Sequence, residues 1–227
     1  DISCYVNQDC GIQLTSRMLR VALPLAFSAY ARSSLSTLEH MLVPRGLKAS
    51  GMSADRALSG YGVIQGMVMP ILSFPACFLM ALAELIVPEL TEAQMQDDAS
   101  KIMSTVRGLL KKGLGYSLAA ALLIFVFASK LGMGIYHNAQ VGRFLRLLAP
   151  LIPIMYTDLL VDGCLKGLGE QMWNMKVNLL DSALSVFLVW RFLSVYALKA
   201  YIAIICFTEI LNFVLSYGQL AAITRRS

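Results

Sequence analysis

Six long runs of apolar residues constrain this chain more than any other feature. They fall at about 19–43, 61–87, 113–131, 144–168, 177–195 and 200–223. Each is close to the roughly 20 residues a helix needs to cross a hydrocarbon core of about 30 Å. A water-soluble fold needs a polar surface, and this chain lacks the residues for one. Of its 227 residues, 57% are hydrophobic and only 15% charged, against roughly 25% charged in soluble domains. Mean hydropathy is +0.65. The expected fold is an all-α integral membrane bundle of six transmembrane helices over 17–227, preceded by a polar N-terminal stretch at 1–16.

The first run ends at Pro44, the second contains Pro70 and Pro75, and the fourth contains Pro150 and Pro153. Kinks are expected at the internal pairs, since neighbouring helices, hydroxyls and waters can satisfy the freed backbone groups within a bundle. The segment 97–112 has a different pattern. Ile102, Met103, Val106, Leu109 and Leu110 fall on one helical face, with Lys101, Arg107, Lys111 and Lys112 elsewhere. That pattern predicts an amphipathic helix lying in the membrane interface, outside the core, with Asp97 and Asp98 favoured at its N-terminus.

Lys and Arg outnumber Asp and Glu by 19 to 14, for a net charge of +5. The basic residues stand mostly at the ends of the apolar runs. They form no cluster on one soluble face, which excludes a nucleic-acid partner and leaves the lipid bilayer as the partner. With six spans, Arg17, Arg20, Lys101, Arg107, Lys111, Lys112, Lys166, Lys176, Arg225 and Arg226 share one side. Arg45, Lys48, Arg56, Lys130, Arg143, Arg146, Arg191 and Lys199 share the other. The small excess places both termini in the cytoplasm and the chain as a multi-pass protein of the plasma membrane. The sequence opens on Asp1 with no signal-type segment before the first run, so it reads as a fragment with sequence missing on the N-terminal side.

A charge at the bilayer centre costs at least about 2.5–3.5 kcal/mol on insertion scales, so charges inside the runs carry the most information. Arg32 stands near the middle of the first run, and Ser28, Ser36 and Glu39 follow it on the same helical face. A guanidinium there suits a phosphate or pyrophosphate, because its fork of donors cannot be neutralised by losing a proton. The alternative is a structural ion pair with an acid on another helix, such as Asp181 or Asp158. In the fourth run Asp158, Asp162 and Lys166 recur every four residues, with Asp162 and Lys166 in the favourable order for an intrahelical pair. These acids can bind protons or Na⁺ in a coupled transporter, or simply fasten helices. Asn178, Asp181, Ser182 and Ser185 cluster near one turn, as do Glu209, Asn212 and Ser216. Asn178, Asp181, Glu209 and Asn212 are read first as polar fastening between helices. Glu84 lies near enough to Pro88 to reach the headgroups.

No catalytic constellation is present: His40 and His137 stand at run ends, with no H-E-x-x-H, G-x-S-x-G or phosphate-cradling glycine loop nearby. The five cysteines, Cys4, Cys10, Cys77, Cys164 and Cys206, include no C-x-x-C pair and no zinc-type spacing with histidine. The expectation is a protein that is neither an enzyme nor a metalloprotein and has no cofactor, with coupling to Na⁺, H⁺ or the membrane potential left open.

Specific strings add to hydropathy. LPLAFSAYARSSLSTLEHMLVPRGLKASG (23–51) and YGVIQGMVMPILSFPACFLMALAELIVPELTEA (61–93), followed in order by DLLVDGCLKGLGEQ, LDSALSV and EILNFVLS, resemble the later helices of the stage V sporulation protein B and polysaccharide-exporter family. LIVPEL resembles a helix-ending motif of the MviN-type lipid II flippases. The resemblance covers the chain from about residue 17 onward. It implies a MATE-like, MviN-related superfamily of multidrug and oligosaccharidyl-lipid exporters, built as two six-helix lobes around a cavity that opens alternately to either side. This chain would be the C-terminal lobe, with the N-terminal lobe as its missing partner. By the same resemblance, cationic cavity residues engage the pyrophosphate of an anionic lipid-linked substrate in cell-wall or polysaccharide synthesis, a role Arg32 fits best. Two rivals remain: a multidrug/cation antiporter, in which Asp158, Asp162 or Glu39 dominates, and a non-transporting membrane partner of cell-wall or spore-cortex synthesis.

Overall fold

The computed structural model describes residues 8–51 and 53–226, and the side chains of all of these except 8–21, 25, 54, 57, 225 and 226. Among them there is no strand, as the apolar periodicity requires. The chain forms α1 (Gln8–Ala49), α2 (Ala54–Val63), a π-helical turn (Ile64–Val68), α3 (Met69–Ser73), α4 (Ala76–Met95) and α5 (Ala99–Tyr136). It continues through α6 (Ala139–Leu148), a 3₁₀ turn (Ala149–Leu151), α7 (Ile152–Gly167) and α8 (Gln171–Arg226).

The proline pairs break their helices where the sequence places them. α2 to α3 meet α4 at a bend of 55° around Phe74 and Pro75. Pro150 lies in the 3₁₀ turn that joins α6 to α7, and Pro153 opens α7. Pro44, in contrast, does not end its helix, because α1 continues through it to Ala49.

Three elements are long and apolar enough to cross a membrane: Ala99–Tyr136, Ala139–Gly167 and Gln171–Thr224. The bent pair Leu58–Ser73 and Ala76–Met95 makes a fourth when counted as one span. By length and composition alone three or four of the six expected spans qualify, for two physical reasons. α1 is long enough, but Arg32, Glu39, His40 and a series of hydroxyls dilute its apolar character. The last two runs are merged in α8, which would be about 84 Å long if straight. It is not straight, because Ala197 adopts φ 52°, ψ −137°. Val189 and Leu193 before that residue share a core cluster with Ala200, Tyr201 and Ile204 after it, so the two arms of α8 fold back on each other.

The segment 97–112 is not a separate element. It forms the first turns of α5, capped by Asp98, whose side chain accepts from the Lys101 backbone N–H at 2.9 Å. Its apolar face meets protein, since Ile102 and Val106 pack with Leu90, Ala93, Leu165 and Leu220. At about 57 Å, α5 is longer than the hydrocarbon core, so part of it extends beyond the core. Of the polar stretch 1–16, residues 1–7 lie outside the described residues and 8–16 begin α1.

Three clusters fix the bundle. A central one joins Leu72, Leu79, Ile124, Leu148, Ile152 and Tyr156, with the Tyr156 hydroxyl donating to the Leu72 carbonyl at 2.6 Å. A second, at the Ala197 end, holds Val43, Leu47 and Ile64 against both arms of α8. The third, at the opposite end, gathers Leu90, Leu165, Leu168 and Leu220. The break in α8 thus lies at one end of the bundle and Leu220 at the other.

Two pairs of parallel neighbours create the functional geometry. α4 and α7 run side by side: a Cβ on Gly163 would stand 2.8 Å from the Ala83 Cβ, and the Thr91 hydroxyl donates to the Gly167 carbonyl at 2.9 Å. α1 and the first arm of α8 do the same, with Glu39 beside Ser185 and Gly46 pressed against Leu193.

Candidate functional site

Between α1 and the first arm of α8 the packing opens into a cavity of about 510 Å³. Ser28, Arg32 and Ser36 line one wall, and Gln171, Asn174 and Asn178 line the other. The i, i+4 spacing of the first set and the i, i+3 and i+4 spacing of the second put both on facing stripes, since α1 and α8 run parallel there. Ser28 is buried, while Arg32 and Ser36 are exposed to the cavity side. Asn178 donates to the Asn174 backbone carbonyl at 2.9 Å and to the Asn174 side chain, which fixes the orientation of that wall.

Behind this wall the stripes foreseen on separate runs come together. Asp162 on α7 faces the Asn174 and Asn178 side chains. The Arg32 guanidinium is close enough to attract the carboxylates of Asp162, Asp181 and Glu209. Asp158, 7% exposed, lies within electrostatic reach of Asp162, Asp181 and Glu209. Glu39 completes the group on α1, half-buried and close to Asp181. Three carboxylates therefore face the Arg32 guanidinium, and two more, Asp158 and Glu39, stand against those three.

The charges are not closed by ion pairs. Among the described residues the one salt bridge within 4 Å is Lys166 Nζ to Glu84 Oε1 at 3.2 Å. This corrects two expectations. Lys166 pairs across to α4 rather than along its own helix with Asp162, because it stands at the exposed edge of α7 where the parallel packing brings Glu84 alongside. Glu84 is accordingly held by a protein cation. Asp158 Oδ1, Asp162 Oδ1 and Asp181 Oδ1 are buried without a hydrogen-bond donor from the protein. Asn212 accepts from Ser216 at 3.5 Å on its own helix, while Glu209 joins the acidic group.

Asn174 and Gln171 were not singled out from sequence, and both line the cavity. The signal for Asn174 was its spacing of four from Asn178, in phase with Asp181. Gln65 and Tyr201 were also missed; the amide donates to the phenol at 2.7 Å, tying the π-helical turn to the second arm of α8. No cluster of His, Cys, Asp and Glu among the described residues has the arrangement to hold a metal ion.

A family model described as MatE matches residues 47–191. Sporulation protein YkvU of Bacillus subtilis (strain 168) is 26% identical over 159 residues, covering 70% of this chain and 36% of that protein. Stage V sporulation protein B of the same organism is 22% identical over 173 residues, covering 75% of this chain and 33% of that protein. The chain thus spans about a third of the length of the curated relatives it matches. No solved structure matches it.

Proposed function

The chain belongs to the MatE family, and on that premise we propose that it is one lobe of a plasma-membrane transporter that moves an anionic lipid-linked oligosaccharide or cell-wall precursor by alternating access. In this reading the lobe crosses the membrane six times: α1, the bent α2–α4 unit, α5, the α6–α7 unit and the two arms of α8, with both termini cytoplasmic. α1 tolerates its charges because they face the cavity and the acidic group rather than lipid. A second lobe faces the cavity and rocks against this one.

The observation that carries the reading is Arg32 opening into a cavity between two parallel helices. Ser28, Ser36, Asn174 and Asn178 supply further hydrogen-bonding groups for a diphosphate held by the guanidinium fork. The acids behind Arg32 give the site its coupling: a proton supplies what the unsatisfied oxygens of Asp158 and Asp181 lack. Its arrival frees Arg32 to engage the anionic substrate. The test is flipping of labelled lipid-linked oligosaccharide in vesicles carrying both lobes, against the same vesicles carrying this chain alone. Flipping that needs both lobes supports the reading, and its absence from vesicles with both lobes contradicts it.

One observation favours a second reading, a drug/cation antiporter. The acids outnumber the arginine around the cavity, so a cationic substrate has several carboxylates to meet. The same vesicles separate the two, because an antiporter would move a cationic dye and leave the lipid-linked oligosaccharide in place.

A further inference from the structure

The Ala197 end of the bundle carries basic residues with few acids to offset them. The basic residues assigned to that side of the membrane stand there, with Asp55 as the acid among them. Two of them line one pocket. Arg56 of α2 and Arg143 of α6 border a space of about 400 Å³ together with Ser59, Gln140, Phe144 and Leu198. Both arginines are exposed, and among the described residues neither has an acid within ion-pair distance. Two guanidiniums sharing a pocket repel each other unless an anion lies between them. The Ser59 hydroxyl and the Gln140 amide add donors of the kind that complete an oxyanion site.

The position of the pocket selects the source of that anion. On α6 the spacing Gln140, Arg143, Phe144, Leu147 keeps one helical face, so the polar groups stand at the bundle end and the apolar ones one turn deeper. Leu147 is 57% exposed, and Leu58, beside Ser59 on α2, is 60% exposed. On α6, Phe144 in the pocket and the exposed Leu147 one turn below Arg143 therefore place apolar surface below the cation, in the order in which a lipid turns from headgroup to acyl chain. Basic pockets between membrane helices bind anionic headgroups through this combination.

We propose that the pocket between α2, α6 and the turn of α8 binds the phosphate of an anionic phospholipid, with the acyl chain lying over Phe144 and Leu147. The site is separate from the Arg32 cavity and does not rest on the transport reading.

Native mass spectrometry of the chain released from detergent micelles tests it, with phosphatidylglycerol, phosphatidylcholine and inorganic phosphate as probes. The chain is expected to retain phosphatidylglycerol over phosphatidylcholine. Arg56→Gln with Arg143→Gln is expected to lower that retention about tenfold, while Arg45→Gln with Lys48→Gln, at the same end but outside the pocket, leaves it intact. If the first double variant does not fold, Arg56→Lys with Arg143→Lys carries the test through the lost fork geometry, with a loss of about threefold expected. Wild-type retention by the folded pocket variant, or equal retention of the two lipids, overturns the proposal. Complete displacement of phosphatidylglycerol by millimolar inorganic phosphate assigns the pocket to the free anion and overturns the lipid source.

Discussion

Gly163 on α7 lies so close to Ala83 on α4 that an added Cβ would stand 2.8 Å from the Ala83 Cβ and 3.0 Å from its carbonyl oxygen. Gly167, one turn on, repeats the contact with Leu90 and Val87. Backbones at this distance leave no room for a branched side chain. Gly163→Val is expected to destabilise the lobe by about 1–3 kcal/mol through overpacking. Gly115→Ala, with nothing within 4 Å, is expected to be neutral or to stabilise by up to about 1 kcal/mol through helix propensity. Thermal unfolding in detergent measures both, and equal effects from the two would show that α4 and α7 are not in contact.

Ala197 gives a test in which the sign of the effect is diagnostic. Its φ of 52° and ψ of −137° suit glycine and not alanine. Ala197→Gly is expected to stabilise by about 1 kcal/mol. In a continuous helix the same change would cost about 1 kcal/mol. Destabilisation in the same unfolding measurement would restore a straight α8.

The cavity is expected to be wet. In a background without the native cysteines, Ser36→Cys and Asn178→Cys should react with a membrane-impermeant methanethiosulfonate reagent, because the reactive thiolate forms only in water. Phe125→Cys, at an α5 residue that is 48% exposed in a stretch long and apolar enough to cross the membrane, should not react. Equal labelling of all three would remove the distinction between cavity and lipid.

The Lys166–Glu84 pair is exposed, at 41% and 70% for the two side chains, so it contributes little. Glu84→Gln is expected to change stability by less than about 1 kcal/mol. A loss of several kcal/mol would mean that the pair is buried against something this chain does not contain.

Sequence carried the helical class and the proline breaks, because apolar run length and missing backbone donors are local properties. It did not carry the assembly of the site. Asp158 and Asp162 read as one stripe, Asp181 and Glu209 as fastening, and Arg32 as a cavity residue with Asp181 or Asp158 only as the alternative partner. Only the parallel packing of α1 on α8 and of α4 on α7 decides that they form a single acidic group around one arginine. The Lys166 partner failed for the same reason: spacing along a helix pointed to Asp162, and the neighbouring helix supplied Glu84. The 97–112 segment was amphipathic as read, yet periodicity alone cannot say whether an apolar face meets lipid or Leu165 and Leu220.

The central claim is that Arg32 holds the anionic group of the cargo. Flipping of a labelled lipid-linked oligosaccharide is measured in vesicles carrying both lobes, with wild type, Arg32→Lys and Arg32→Ala inserted at matched levels. Arg32→Lys is expected to lower the rate about tenfold despite keeping the charge, because the planar fork is lost, and Arg32→Ala to lower it further. Wild-type rates from both variants would contradict the account and leave Arg32 as a structural counter-ion to the acids around it.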